Sequence, residues 1–222
     1  MSMAKKRSNP LCMQRLEQEW RSWKKTPLPH FFARPAPDPK DKKKKVITHW
    51  ICGVPGVKGT HWEGCMLKVN LFFVPSYPEY PPKVQFDPPL FHPNVYPSGS
   101  VCLSLLNKEA DWKPSVTVPE ILKGLQMLLN EPNEKSPAQT EAYQIYIRNR
   151  TEYVRRIKAV VDANPASEFK DRIKRMVRSG KFVTDARSHT QSLSGVVGLV
   201  DLEDLDPAQA PAQPRARRPA RD

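Results

Sequence analysis

The chain has 222 residues, enough for one domain with a segment left over or for two small domains. Twenty-four prolines stand against nine glycines, which excludes a long-helix bundle or a coiled coil because proline ends helices. The net charge is +13, of which residues 1–45 carry +9 and residues 46–165 only +1. This is not the charge pattern of a nucleic-acid reader, and no apolar run has the length of a membrane span. The first residues lack the apolar segment of a secretory signal, so we expect an intracellular protein.

The first half of the chain predicts one helix followed by strands. Asn9 and Pro10 are typical of an N-cap and a first helical turn, and the apolar periodicity that follows predicts a helix to about residue 25. Residues 26–39 hold five prolines and are expected to be extended or turning. Strands are predicted at residues 46–54, 65–73 and, more briefly, 83–86. The lysines at positions 42–45 form either a solvated loop or a surface that steers an acidic partner.

The second half predicts a long loop and then helices. Residues 75–97 hold eight prolines, so this stretch can fold only as a rigid loop over a core. Thr117 and Glu120 form a capping box at the start of one helix, and Ser136 and Gln139 form a second box at the start of another. One helix, several strands, a long loop and further helices favour an α+β fold with an antiparallel meander.

The end of the chain differs in composition from the body. A helix predicted over residues 151–163 closes the body, and residues 167–180 place apolar side chains on one face of a further helix. Residues 208–222 are rich in proline, alanine and arginine and are expected to be disordered. Residues 196–204 are an apolar run followed by acids, which either anchors the tail on the body or pairs with the sheet edge of a partner.

The four cysteines are Cys12, Cys52, Cys65 and Cys102, and no two of them form a C-x-x-C pair. No metal site is therefore predicted, and we expect the thiols to be reduced. His92 is the histidine nearest to Cys102 in sequence, but it precedes a proline in a stiff turn, which argues against a cysteine protease. The residues themselves predict a partly exposed Cys102 thiol beside the proline-rich loop.

Two motifs carry a resemblance to a known family. Residues 91–103, FHPNVYPSGSVCL, resemble the active site of the ubiquitin-like conjugating enzymes, in which an H-P-N tripeptide precedes the reactive cysteine. Residues 77–83, YPEYPPK, resemble a second motif of that family, and Trp112 with Pro114 also matches. The spacing from Cys102 to Trp112 is similar to that of the SUMO-conjugating branch rather than that of the ubiquitin-conjugating branch.

The resemblance implies a conjugating domain over residues 8–165 and a C-terminal extension over residues 166–222. The implied fold is the α+β ubiquitin-conjugating fold, with an N-terminal helix, a four-stranded antiparallel meander, an active-site loop and C-terminal helices. The implied enzyme is a transferase that accepts SUMO from its activating enzyme as a thioester on Cys102 and passes it to a substrate lysine. A ubiquitin-conjugating enzyme and a non-catalytic scaffold of the same fold are the alternatives, and Cys102 argues against the scaffold.

The family also implies roles for residues around Cys102. Asn94 would support the oxyanion of the tetrahedral intermediate, or the loop that presents it, and a turn asparagine bonded to its own backbone is the plainer alternative. Tyr96 would line the approach of the substrate lysine, where desolvation lowers the pKa of an ammonium group. Ser136 stands where the SUMO branch typically has Asp, so a carboxylate near the lysine is lost. The alternative role of Ser136 is a helix N-cap.

Substrate contacts are implied for Lys83, Gln85 and Pro137. The resemblance to the SUMO branch implies that the enzyme binds the substrate motif apolar-Lys-x-acid directly, through two of its own lysines. Lys83 matches the first of them, and Gln85 replaces the second. We expect motif reading to persist more weakly, since glutamine can still donate a hydrogen bond.

The implied partners are SUMO, its activating enzyme, SUMO ligases and protein substrates that carry the motif. A basic helix face would bind the activating enzyme and a non-covalent SUMO; its residues are Arg15, Arg21, Lys24 and Lys25. Residues 196–204 are similar to SUMO-interacting motifs, which predicts a second SUMO near the enzyme. No metal, small cofactor, nucleic acid or membrane is implied. Short basic clusters near both ends are candidate nuclear-import signals, so we expect the nucleus and the cytoplasm.

Overall fold

The computed structural model describes residues 9–179, and its first element is helix α1, Pro10–Lys25. Asn9 caps this helix, because its side-chain oxygen accepts a hydrogen bond from the backbone N–H of Leu11 at 3.0 Å. Pro10 occupies the first turn, where no N–H is needed. The predicted helix is therefore confirmed at both ends.

Four antiparallel strands form one sheet in the order β1-β2-β3-β4. The strands are Phe32–Pro37, Lys45–Pro55, Met66–Phe72 and Lys83–Phe86. Each strand pairs with the next along the chain, and Cys52 of β2 lies opposite Val69 of β3. The predicted four-stranded antiparallel meander is confirmed.

Strand β1 is missing from the strands that the residues predict, because two of its six residues are prolines. Pro35 and Pro37 have no N–H to donate, so neither is tolerated in the middle of a sheet. β1 is an edge strand, and its register against β2 shifts between Pro35 and Ala36. The backbone is extended as predicted, while the pairing with β2 is not visible in the sequence.

Four further helices follow the sheet. They are α2, Val118–Asn130, α3, Thr140–Arg148, α4, Arg150–Asp162, and α5, Phe169–Ser179. The capping box predicted for α2 is present: the Thr117 N–H donates to the Glu120 carboxylate at 2.8 Å, and the Glu120 N–H reaches the Thr117 hydroxyl at 3.5 Å. Short 3₁₀ turns occupy Ser104–Leu106 and Ala166–Glu168.

The capping box predicted at Ser136 is wrong. Helix α3 begins at Thr140, and its N-cap residue Gln139 makes no side-chain cap bond. Ser136 lies in the preceding loop, because the backbone N–H groups of Ala138 and Gln139 are donated to the carbonyl of Pro93 at 2.7 and 3.1 Å. A long-range tie to the proline-rich loop thus replaces the local cap.

The two faces of the sheet are covered by different helices. One face carries the alternating apolar side chains predicted for β3, and its Leu71 belongs to the same core as Leu125 of α2. The other face is covered by α5, whose Phe169 and Ile173 pack on Ile51 of β2. The first helix of the extension is therefore part of the packed body, and the division of the chain at residue 165 stays a prediction.

The contact between α5 and the sheet is close. A Cβ added at Gly53 would lie 2.7 Å from the ring of Phe169, and the ring of Phe32 meets that of Phe169 edge-on at 5.5 Å. Beneath α5, the buried Lys68 forms an ion pair with Asp87. The absence of a side chain at Gly53 therefore leaves the space on this face of the sheet that the ring of Phe169 occupies.

Within residues 9–179, no helix is long and apolar enough to cross a membrane, and no group of Cys, His, Asp and Glu is placed to hold a metal ion. The predicted disordered end and the predicted SUMO-interacting segment lie outside the described residues, as do the basic clusters near both chain ends.

Replacing Phe169 by alanine should lower the free energy of unfolding by about 3 kcal/mol, because a buried ring is lost and a cavity is left between α5 and the sheet. Urea denaturation followed by circular dichroism gives the value. Met127→Ala is the control, since Met127 is 64% exposed and its loss should change stability by less than about 0.5 kcal/mol. Equal stability of the wild type and Phe169→Ala would mean that α5 does not unfold with the sheet.

Candidate active site

A short antiparallel turn presents Cys102. The Cys102 N–H donates to the carbonyl of Asn94 at 2.9 Å, and the Tyr96 N–H donates to the carbonyl of Ser100 at 2.8 Å. Gly99 has a φ of +86°, and a Cβ at this position would lie 2.4 Å from the carbonyl oxygen of Phe86. The turn therefore requires glycine and lies tightly on the end of β4.

The buried side chain of Asn94 ties this turn to the segment between α2 and α3. Its Nδ2 donates to the carbonyls of Asn133 and Ser136 at 2.8 and 2.9 Å. Its Oδ1 accepts the Asn133 N–H at 2.8 Å. Both amide hydrogens are thus used by backbone carbonyls, an arrangement that supports the loop. The predicted contact between Asn94 and the oxyanion stays a prediction.

Ser136 and Pro137 lie in the segment that Asn94 holds, and both are exposed. Because Ser136 and Cys102 each bond to Asn94, through its side chain and its main chain, the two residues belong to one site. The structure therefore brings together four predicted residues of the active site: Cys102, Asn94, Tyr96 and Ser136. Their chemical roles stay predictions.

His92 is held in a structural position. It is fully buried, and its Nδ1 accepts the backbone N–H of Asn94 at 3.1 Å. Burial lowers the pKa of His92 to about 4, and the backbone of Leu128 and Leu129 only partly opposes that shift. A neutral imidazole with its Nδ1 lone pair occupied cannot serve as the base for Cys102, in agreement with the argument against a cysteine protease.

The Cys102 thiol differs from the other cysteines in exposure. Cys12, Cys52 and Cys65 are buried, whereas Cys102 is half-buried. Burial raises the pKa of Cys102, and a hydrogen bond from the hydroxyl of Tyr96 partly opposes that rise. Tyr96 is 45% exposed, so it stands beside the sulfur at the open side of the site. The site therefore offers a half-buried, protonated thiol with the hydroxyl of Tyr96 beside it.

The residues predicted to contact substrate lie in different environments. Lys83 is half-exposed at the start of β4, and no carboxylate of the described chain lies within salt-bridge distance of it. Gln85 is buried, and its Nε2 donates to the carbonyl of Ser98 at 2.6 Å. Gln85 therefore supports the turn before Cys102. A substrate contact by Gln85 stays a prediction, and it would require the amide to leave Ser98.

Arg15, predicted to bind a partner, is tied into the body. Its guanidinium donates to the carbonyls of Pro114 and Val116 at 2.7 and 2.9 Å and forms a 2.8 Å ion pair with Glu19. Glu19 is 6% exposed and also accepts the hydroxyl of Tyr77 at 3.3 Å. These bonds join α1 to the proline-rich loop and to the segment before α2.

The importance of Glu19 was not predicted, although the sequence contains a signal for it. Cys12, Leu16, Glu19 and Trp23 are the buried residues of α1, so an acid falls on the apolar face of the helix, four residues after Arg15. Of the other predicted partner-binding residues, Arg21, Lys24 and Lys25 are exposed.

Iodoacetamide should alkylate Cys102 much faster than the three buried cysteines, and the rate should still be rising above pH 8.5 because burial raises the pKa of Cys102. Tyr96→Phe removes the hydrogen bond that favours the thiolate, so its pKa should rise further and the rate at pH 8 should fall about threefold. Mass spectrometry at several pH values measures this, with Cys102→Ser as the control. An identical pH profile for Tyr96→Phe would contradict the assigned contact.

Comparisons with known proteins agree with this geometry. Residues 15–161 match the family model described as ubiquitin-conjugating enzyme. SUMO-conjugating enzyme UBC9 of Caenorhabditis elegans is 48% identical over 144 residues, which are 65% of this chain and 86% of the relative. Sumo-conjugating enzyme ubc9 of Dictyostelium discoideum is 46% identical over 145 residues, which are 65% of this chain and 90% of the relative. The match spans the whole sheet, the Cys102 turn and helices α2 to α4, so the chain belongs to the ubiquitin-conjugating enzyme family.

Proposed function

We propose that this chain is a SUMO-conjugating enzyme in which Cys102 carries SUMO as a thioester before its transfer to a substrate lysine. One observation carries the proposal: the most accessible cysteine of the described residues lies on a turn fixed by Asn94, and the Nδ1 of His92, the histidine nearest to it in sequence, is occupied by a backbone N–H. Exchange of an acyl group between two sulfurs needs a thiolate and access, and it needs no triad. Both relatives are named as SUMO-conjugating enzymes, which supports SUMO as the modifier.

The first step is an exchange of thioesters. The Cys102 thiolate attacks the carbonyl carbon of the thioester that joins SUMO to its activating enzyme. The new carbon–sulfur bond forms on Cys102, and the sulfur of the activating enzyme leaves as a thiolate. The raised pKa of Cys102 keeps most of the thiol protonated at neutral pH, so the proton must be lost before attack. The hydrogen bond of Tyr96 favours that loss.

The second step is attack by the substrate lysine on the Cys102 thioester. The carbon–nitrogen bond of an isopeptide forms, and the Cys102 thiolate leaves. An ordinary lysine has a pKa near 10.4, so only about one in a thousand is neutral at pH 7.4. Desolvation beside the ring of Tyr96 would lower the pKa of the incoming ammonium. Ser136 would stand close to this path without adding a charge, so the lysine step depends more on desolvation than on a carboxylate.

Surfaces away from Cys102 would choose the partners. Lys83 would pair with the acid of the apolar-Lys-x-acid motif, with Pro137 at the other side of the lysine's path. The exposed cations of α1, Arg21, Lys24 and Lys25, would bind the activating enzyme and a non-covalent SUMO. SUMO ligases would act as further partners, and ATP would be consumed by the activating enzyme. We place the protein in the nucleus and the cytoplasm on the strength of its short basic clusters.

Charging tests the function directly. The protein is incubated with the SUMO-activating enzyme, ATP and SUMO, and in parallel with the ubiquitin-activating enzyme, ATP and ubiquitin, and is run on a gel without reductant. We expect a reductant-sensitive band with SUMO only, and no such band for Cys102→Ala. Charging by ubiquitin alone would move the protein to the ubiquitin-conjugating branch. No band with either modifier would favour a scaffold.

Lys83→Glu should abolish the preference for the acid in the substrate motif. Wild-type protein charged with SUMO should modify a peptide with the motif apolar-Lys-x-Glu at least about fivefold faster than one with apolar-Lys-x-Lys, since only the first places opposite charges together. Lys83→Glu should lose this preference while its charging with SUMO is unchanged. Lys123→Glu, an exposed site on α2, is the matched control. Equal loss in both variants would remove the role proposed for Lys83.

A further inference from the structure

A concentrated positive surface lies outside the group of residues that surrounds Cys102. It is formed by the turn between β1 and β2 and by the outer side of α5. We define this basic surface by six exposed residues: Lys42, Lys43, Lys44, Lys170, Lys174 and Arg178. Lys170, Lys174 and Arg178 are spaced four apart, so they line one side of the helix.

The turn and the helix are in direct contact. The Nζ of Lys42 donates to the backbone carbonyl of Arg178 at 2.7 Å, which holds the turn against the last turn of α5. Residues 38–45 hold five lysines and two aspartates, and residues 169–179 hold five basic residues and one aspartate, for a combined charge of +7. Contact between two segments of the same charge is unfavourable unless something compensates the charge.

The described residues provide little compensation. Lys44 pairs with Asp41 at 3.6 Å and Lys174 pairs with Asp171 at 2.9 Å, and both pairs are exposed to solvent. Within residues 9–179, Lys43, Lys170 and the guanidinium of Arg178 have no carboxylate within 4.0 Å. The combined charge of +7 already includes these acids, so the surface keeps a positive potential.

The same chain contains a segment of opposite charge. Residues 201–206, DLEDLD, hold four acids in six residues, and residues 188–214 contain no lysine or arginine. Helix α5 ends at Ser179, next to the basic surface. Residues 180–200 are the 21 residues that connect α5 to this segment, and a chain of that length in coil form has an end-to-end distance of roughly 25 Å, enough to return to a surface beside Ser179.

We propose that the acidic segment, residues 201–206, docks on the basic surface of its own chain. The segment and the surface are complementary in charge, and the connection keeps them at millimolar effective concentration, so even weak attraction suffices. The surface continues toward α1, because the ammonium groups of Lys45 and Lys24 both lie over the ring of Trp20, at 5.2 and 5.6 Å. If the proposed function holds, the docked segment would compete with an acidic partner for that face.

Carbodiimide cross-linking of the full chain tests the docking, because this reagent joins a carboxylate to an amine only where the two are in contact. Mass spectrometry should find links from residues 201–206 to Lys170 and Lys174. The yield of these links should fall at least about fivefold between 0.1 and 1 M NaCl, as the screening length drops from about 10 to about 3 Å. Mixing protein of two isotopic compositions distinguishes links within one chain from links between chains.

A charge-reversed variant keeps the test specific. Lys42→Glu, Lys43→Glu and Lys44→Glu together should reduce the links to Lys170 and Lys174 at least about threefold, because the potential at α5 is lowered while both target lysines remain. The control reverses three exposed lysines elsewhere, Lys58, Lys123 and Lys158, and so makes the same change in net charge. This control should leave the yield unchanged.

Three results would overturn the proposal: equal yields in both variants, links mainly to Lys58, Lys123 or Lys158 in the wild type, or links only between different chains. The experiment contains no SUMO and no activating enzyme. A chain that docks its acidic segment but cannot be charged would therefore disprove the proposed function alone.

Discussion

The buried side chain of Asn94 makes three hydrogen bonds, two as donor and one as acceptor. They join two segments that are distant in sequence: the turn before Cys102 and the connection between α2 and α3. Neither segment is a helix or a strand, so no regular ladder fixes their separation. Loss of this amide would leave one N–H and two carbonyls without their partner, at a cost of about 1–3 kcal/mol for each group that stays buried. Cys102 depends on the same residue, since its N–H donates to the Asn94 carbonyl.

The residues that fix this turn also determine the protonation of Cys102 and of the histidine nearest to it in sequence, His92. His92 is committed to the backbone and stays neutral, because burial lowers its pKa to about 4. His92 therefore does not act as a general base for the thiol, and burial raises the pKa of the Cys102 thiol itself. Such a sulfur reacts slowly with small oxidants in solution, because little of it is thiolate at neutral pH. The position of the sulfur, rather than its basicity, is what the surrounding residues supply.

Local signals predicted local structure well. The cap at Asn9 and the box at Thr117 could be predicted because their hydrogen bonds join residues at most three positions apart. The box predicted at Ser136 has the same residue pattern but does not form. The N–H groups of Ala138 and Gln139, which a cap at Ser136 would bind, donate to the carbonyl of Pro93 instead. The motif around Cys102 located the site through resemblance. The bonds that build it, such as those of Glu19 to residues 58 and 99 positions away, join residues whose proximity only the fold determines.

The position of helix α5 is explained by the sheet, which has two apolar faces. β2 and β3 are buried on both faces, and Ile51 and Ala36 are fully inaccessible although they point away from the main core. A four-stranded sheet with two apolar faces requires a cover on each side. Helices of the conjugating domain cover one face, and α5 covers the other with Phe169 and Ile173. Its remaining residues are mostly basic, so the same helix that completes the core also creates a positive surface. The packing of α5 thereby explains why a charged helix lies beside a turn of lysines.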